Sequence, residues 1–255
     1  MPDWSATKYL QFGNERTQPS IDLANRIPGE PTRVLDIGCG PGNSTAVLGR
    51  RFPNAQIIGV DNSPNMIETA QKEHPEFSFL LCDVSNDLSE LGKCDLVFSN
   101  ACLQWVPNHR ELLPKLFDLL NPAGFLAVQM PNQAKAPVHQ IVSELVTKQP
   151  WNSRFGGNPR SFHMLSESDY YDLLTGLSSQ VTMWETVYYH QMESHSSILE
   201  WYRGTGLRPY LNALSEEERP LFEQAVLEEI AKRYPVQKNG KILFRFHRLF
   251  FLVGK

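Results

Sequence analysis

Acidic and amide side chains close several apolar runs in the first hundred residues of this chain. Asp61 ends Gln56–Asp61, Asp83 ends Phe77–Asp83, and Asn100 ends Cys94–Asn100. Ahead of them, Val34-Leu35-Asp36-Ile37 runs straight into Gly38-Cys39-Gly40-Pro41-Gly42. A strand, a glycine turn and a helix start are expected to leave backbone N–H groups facing a shallow cleft, with Asn43 or Ser44 capping the helix. Glycine lacks a Cβ, so a ligand can approach such a turn closely. Asp61 falls about twenty residues beyond the glycines, where an acid can accept hydrogen bonds from two ribose hydroxyls. The chemistry implied is the binding of a nucleoside-bearing cofactor. The spacing is G-x-G-x-G, with Pro41 before the last glycine. Nicotinamide dinucleotide folds use G-x-G-x-x-G or G-x-G-x-x-A instead.

The elements that must position these groups alternate strand and helix from Thr32 to about Met130. Strands are expected at Val34–Ile37, Gln56–Asp61, Phe77–Asp83, Cys94–Asn100 and Phe125–Met130, the last entered through Asn121-Pro122-Ala123-Gly124. Helices are expected at Ser44–Phe52, Pro64–Glu73 and His109–Leu120. This alternation argues for a parallel sheet covered on both faces, with every strand C-terminus on one edge. Residues from Trp4 to Ile27 carry a helical pattern that Pro28-Gly29-Glu30-Pro31 ends. Between Pro131 and about Gln180 the alternation stops, and Gln149 to Pro159 reads as an ordered loop with aromatic anchors. Ser166–Leu174, Ser194–Thr205 and a stretch from Leu214 to about Tyr234 read as helices, Val181–Tyr189 as a sixth strand and Lys241–Val253 as the last.

Composition bounds the rest. A chain of 255 residues can bury a substantial core. The formal net charge of -4 gives no electrostatic footing for nucleic acid. No basic leader precedes an apolar run, and no apolar stretch is long enough to span a bilayer. Cys39, Cys82, Cys94 and Cys102 lack metal-ligand spacing and read as reduced buried thiols, which implies a cytoplasmic protein without a metal.

The glycine turn and the strand-end acids resemble the class I methyltransferases that use S-adenosylmethionine. The resemblance implies a Rossmann-like α/β fold, a seven-stranded, mostly parallel sheet with an antiparallel last strand and a helical cap. Residues 1–30 would be an N-terminal lid and 31–131 the cofactor-binding core. Residues 132–180 and 191–240 would form the cap, and 181–190 and 241–255 the last two strands. It places Tyr9, Arg16, Asp36, Gly38, Cys39, Gly40, Asp61, Asn62, Met66, Asp83, Val84, Asn100 and Ala101 on the cofactor. Asp83 would meet the adenine amino group and Arg16 the methionine carboxylate.

Further segments narrow the resemblance to the trans-aconitate 2-methyltransferase family. They are Asp3-Trp4, Leu103-Gln104-Trp105 with Pro107, Val128-Gln129-Met130-Pro131, Tyr188-Tyr189-His190-Gln191-Met192, Thr205-Gly206-Leu207-Arg208-Pro209 and Arg248-Leu249-Phe250. What this implies is methyl transfer to one carboxylate of a small polycarboxylate, with no nucleic-acid, membrane or obligate protein partner. Such an acceptor is ionised at neutral pH, so no general base is expected. Its other carboxylates need cations, and arginine offers a bidentate fork. Arg208 and Arg248 are the expected clamps, with Tyr188, Tyr189 and His190 adding hydrogen bonds from beyond the sixth strand. Gln104 and Trp105 would face the methyl group or the acceptor. Arg245 projects to the strand face opposite Arg248 and is left out. The alternatives are a malonyl-acyl-carrier-protein O-methyltransferase using Lys232, Arg233, Lys238 and Lys241, a cofactor-binding regulator without turnover, and, third, a nicotinamide-dependent oxidoreductase.

Overall fold

The computed structural model describes residues 13–132, 136–155 and 163–255, with side chains from residue 17 onward. Tyr9 and the Arg16 side chain therefore lie outside the described residues. The chain runs α1 (Gly13–Ala24), β1 (Arg33–Ile37), α2 (Asn43–Arg51), β2 (Gln56–Asp61), α3 (Pro64–Glu73), β3 (Ser78–Leu81), β4 (Cys94–Asn100), α4 (His109–Asp118) and β5 (Leu120–Pro131). It continues through α5 (Pro137–Leu145), α6 (Asn152–Phe155), α7 (Glu167–Leu177), β6 (Val181–Met192), α8 (His195–Arg203), α9 (Arg208–Ala213), α10 (Glu218–Arg233) and β7 (Ile242–Gly254).

The seven strands form one sheet in the order β3-β2-β1-β4-β5-β7-β6, parallel except for β7. The order reverses beside β1, which pairs with β2 (Leu35 with Ile58) and with β4 (Leu35 with Val97). In open α/β sheets ligands bind beyond the strand C-termini at such a switch point. β1 and β4 are apolar runs because both faces are covered; Leu35, Ile37, Leu96, Val97 and Phe98 have no exposed surface. Asp95 ties the opposite edge together. Its carboxylate accepts from the Thr32 hydroxyl at 2.7 Å, the backbone N–H of Thr32 and Arg33, and the Asn121 amide at 2.8 Å. These donors, Asn121 and Thr32 foremost, hold its carboxyl down at about 2.

By contact density the described chain falls into two units, one of residues 13–131, 163–185 and 249–255, the other of 132, 136–155 and 186–248. These bounds differ from the expected ones: residues 163–180 fall in the first unit, and 186–190 and 241–248 in the second. Helix α7 belongs with the sheet, because Tyr170 and Leu174 are buried in the same core as Leu35, Val97, Leu126 and Phe251. In the second unit α10 packs against α5 and α8. Trp151, Phe155 and Tyr210 each set a ring against Phe222. Among the described residues, no helix is long and apolar enough to cross a membrane.

Candidate active site

Asp36 is the buried acid two residues ahead of Gly38. It lies in β1 with no exposed surface. The hydroxyls of Ser44 and Thr45 each donate to its Oδ2 at 2.7 Å. This corrects the expected helix cap. The N-cap of α2 is Gly42, at φ 94, with no side-chain cap bond, because Ser44 is turned toward Asp36. Burial pushes the Asp36 carboxyl up to about 6, against the pull of its two hydroxyl donors.

The turn itself does not present the expected row of N–H groups. Gly38 and Cys39 both donate to the Val60 carbonyl, at 2.8 and 3.0 Å, and Gly42 donates to Cys39 at 3.1 Å. Gly40 donates to Asp61 Oδ2 at 3.0 Å. The end of β2, which runs alongside, takes three of these donors and the Cys39 carbonyl takes the fourth, so none of the four is left for a phosphate. What the site offers instead is acceptors. Asp36 Oδ1, Asn100 Oδ1 and Gln104 Oε1 are buried and find no hydrogen-bond partner among the described residues. A buried polar atom left without its partner costs about 1–3 kcal/mol. A ligand bearing N–H donors or positive charge removes that cost. The turn is open at one point: Gly40 sits at φ 55, and a Cβ built on it meets nothing within 4 Å.

S-adenosylmethionine fits this set, with its ammonium and sulfonium charge and its adenosine. A pyrophosphate-bridged dinucleotide does not. Asp61, at the end of β2, accepts from Gly40 N–H at Oδ2 and from Ser63 N–H at Oδ1, each at 3.0 Å. Asp83 is exposed just beyond β3, a shorter strand than expected because it ends at Leu81. Its carboxyl is held below the usual range by the Ser85 backbone and hydroxyl, with a smaller pull from Asn62. Met66 and Val84 are buried nearby in sequence, on α3 and after β3. The Cys39 thiol packs with Ile67, Ala70 and Phe79, so only its backbone is left to meet a cofactor. Ala101, at φ 56, opens the loop after β4, in which Gln104 is buried and Trp105 half-buried.

The acceptor-side residues fall in the second unit. Strand β6 runs on to Met192, so Tyr188, Tyr189 and His190 lie within it rather than after it. Alternation then separates them. Tyr188 and His190 share a face, their rings nearly parallel with centroids 6.5 Å apart. Trp201 stands 4.9 Å from His190 and Phe246 stands 6.0 Å away. Arg248, only 4% exposed, lays its guanidinium 4.4 Å over the Phe246 ring. Tyr189 is 55% exposed and carries Arg245 over its ring at 5.7 Å, so it does not join that group. Arg208 opens α9, half-buried, and Tyr210 two residues on is fully buried against Phe155. Gly206 ahead of it must be glycine, since a Cβ there would lie 2.2 Å from the Tyr202 ring.

Comparison with known proteins follows the same lines. A methyltransferase-domain family model matches residues 29–205. Trans-aconitate 2-methyltransferase of Escherichia coli O139:H28 is 44% identical over all of this chain and 99% of its own length. The Shigella flexneri enzyme of the same name is also 44% identical over the same shares. This chain belongs to the trans-aconitate 2-methyltransferase family. Solved structures agree on the fold of the family. The YcgJ protein of Bacillus subtilis superposes with a TM-score of 0.58 at 19% identity, covering 95% of this chain and 98% of that one. Coclaurine N-methyltransferase gives 0.52 at 15% identity over 95% and 72%.

Sequence reading offered Asn43 or Ser44 as the helix cap, whereas the folded chain turns Ser44 and Thr45 onto Asp36. Their spacing from Asp36 shows only that two hydroxyls open α2, not which way they turn. The raised Asp36 carboxyl makes a prediction. The folded chain holds this proton more tightly than the unfolded chain, so folding stability is lost as pH rises from the ordinary carboxyl value through about 6. The loss is about 3 kcal/mol, because each tenfold difference in proton affinity between the two states is worth about 1.4 kcal/mol. Asp36→Asn should therefore raise the melting temperature of the cofactor-free protein at pH 7.5, and the difference should vanish below pH 4. Calorimetric titration should show the same variant binding S-adenosylhomocysteine at least tenfold more weakly.

Proposed function

We propose that this protein transfers a methyl group from S-adenosylmethionine to one carboxylate of trans-aconitate, or of a closely related small polycarboxylate, giving a monomethyl ester. The observation that carries this reading is the buried Arg248, its guanidinium over Phe246, whose ring stands 6.0 Å from His190, in a chain whose full-length relatives bear that substrate in their names. S-adenosylmethionine, when bound, supplies an electrophilic methyl group on a sulfonium. Asp36, Asn100 and Gln104 offer their unmet acceptors to the donor's positive end. Asp61 and Asp83 hold ribose and adenine.

The acceptor carboxylate, with a pKa near ~4, arrives ionised, so the chain needs no base. Its work is positional. Holding the attacking oxygen in line with the methyl can supply roughly 7–11 kcal/mol. Arg208 and Arg248 grip the carboxylates that do not react, with hydrogen bonds from Tyr188 and His190. Excluding water favours a step in which a carboxylate and a sulfonium cancel their charges. With four free cysteines and no membrane-spanning helix among the described residues, the proposed place of work is the cytoplasm.

An acyl-carrier protein as acceptor would need an exposed basic patch. Three of the four candidate cations are engaged instead: Lys232 with Glu229, Arg233 with Glu144, and Lys241 with Glu193. The deciding experiment compares kcat/KM for trans-aconitate, cis-aconitate, citrate, isocitrate and malonyl-acyl-carrier protein. A preference of at least tenfold for an aconitate is expected. A better rate on the malonyl thioester, or cofactor binding with no transfer to any acid, would overturn the reading.

A further inference from the structure

We infer that the buried pair His109 and Tyr170 is a positioning device for the loop that carries Gln104 and Trp105. Neither residue belongs to the cofactor set or the arginine clamps. His109 is the first residue of α4 and is 1% exposed; Tyr170, on α7, has no exposed surface. The His109 ring sits between two oxygens, Tyr170 Oη at 2.5 Å from Nδ1 and the Leu103 carbonyl at 2.8 Å from Nε2. A carbonyl can only accept, so Nε2 carries the proton. Burial lowers the pKa of His109 and keeps the ring neutral, while burial raises that of Tyr170 and keeps its hydroxyl protonated. Nδ1 therefore accepts from the tyrosine, whose oxygen also lies 3.9 Å from the Met130 sulfur and 4.0 Å from that of Met164. The relay runs from Tyr170 through His109 to Leu103.

Leu103 opens the 3-10 turn Leu103–Trp105, and the next carbonyl, of Gln104, accepts from His163 N–H at 3.1 Å. Two successive carbonyls of the turn are thus fixed by residues outside it. The loop needs such fixing. Ala101 and Asn108, at its two ends, are non-glycine residues with φ of 56 and 57. Each costs about 1–2 kcal/mol and persists only where the surroundings determine it. Within the loop Gln104 donates to the Ala101 carbonyl at 2.7 Å, leaving Oε1 as the unmet acceptor. Tyr170 selects the tautomer, His109 fixes the turn, and the turn aims Gln104.

This assignment rests on the proposed methyl transfer only for where the loop points, and its test has a readout free of that reading. Tyr170→Phe keeps the ring and removes the proton that selects the His109 tautomer. In the full-length protein, amide hydrogen exchange across residues 101–108 should quicken at least tenfold, while residues 38–42 stay within twofold of wild type. With trans-aconitate, kcat/KM should fall 10- to 100-fold and S-adenosylhomocysteine Kd should stay within threefold. His109→Ala should behave alike, and His109→Gln, whose amide nitrogen can take the place of Nε2, should recover to within threefold of wild type. Exchange within twofold of wild type in Tyr170→Phe overturns the inference, as does equal quickening of residues 38–42. If wild type methylates no polycarboxylate, the proposed function fails and the exchange result still decides the role of the pair.

Discussion

Arg248→Met is expected to lower kcat/KM for trans-aconitate by about 10²–10³-fold while S-adenosylhomocysteine Kd stays within threefold. Truncating one partner of a buried, hydrogen-bonded charge pair costs about 2–5 kcal/mol, and about 1.4 kcal/mol is tenfold. Arg248 sits 4% exposed in a strand whose neighbours Phe246, Leu249 and Phe250 are apolar and buried. Arg248→Lys should recover only part of the loss, since an ammonium is a point charge and cannot match both oxygens of a carboxylate. Methionine fills a similar volume and carries none of the desolvation cost of a buried guanidinium. Melting temperature should therefore not fall with activity. A drop in melting temperature with acceptor kinetics unchanged would make Arg248 a structural residue.

The second large effect separates two glycines of one turn. Gly38→Ala should damage the fold. At φ 71 its Cβ would lie 2.3 Å from Cys102 Cβ and 2.2 Å from its sulfur. The left-handed backbone costs about 1–2 kcal/mol and the overlap about 1–3 kcal/mol more. Melting should fall by roughly 4–20 °C, at about 2–4 °C per kcal/mol for a chain of this size. Gly40→Ala meets no protein atom, so its stability cost should be only the backbone part. Its methyl group intrudes on the ligand's space alone. S-adenosylhomocysteine Kd should rise at least tenfold in a protein that still melts within a few degrees of wild type. Unchanged affinity in Gly40→Ala would place the cofactor elsewhere.

The sheet was legible where apolar runs are buried on both faces. β2 and β4 begin and end at the residues expected from sequence, Gln56–Asp61 and Cys94–Asn100. β3, at the sheet edge, is shorter, and its Leu80 and Leu81 are exposed; an apolar run there does not report burial. Helix α5 was missed, although Pro137 at its start and Val138, Ile141 and Val142 on its buried face carry the signal. The site was legible as residue types and less so as directions. Glycines at 38, 40 and 42 announce a tight turn but not that Val60, Asp61 and Cys39 take its N–H groups. Tyr188, Tyr189 and His190 read as one cluster until the length of β6 puts the middle residue on the other face. His109 and Tyr170 are 61 residues apart, and no local pattern joins them.

Methyl-labelled S-adenosylmethionine, incubated with the protein and trans-aconitate and followed by NMR, gives the most direct test of carboxylate methylation. One oxygen-bound ester methyl per S-adenosylhomocysteine formed is the expected result. Label that appears on nitrogen or carbon, or that stays on the donor at saturating trans-aconitate, would contradict it.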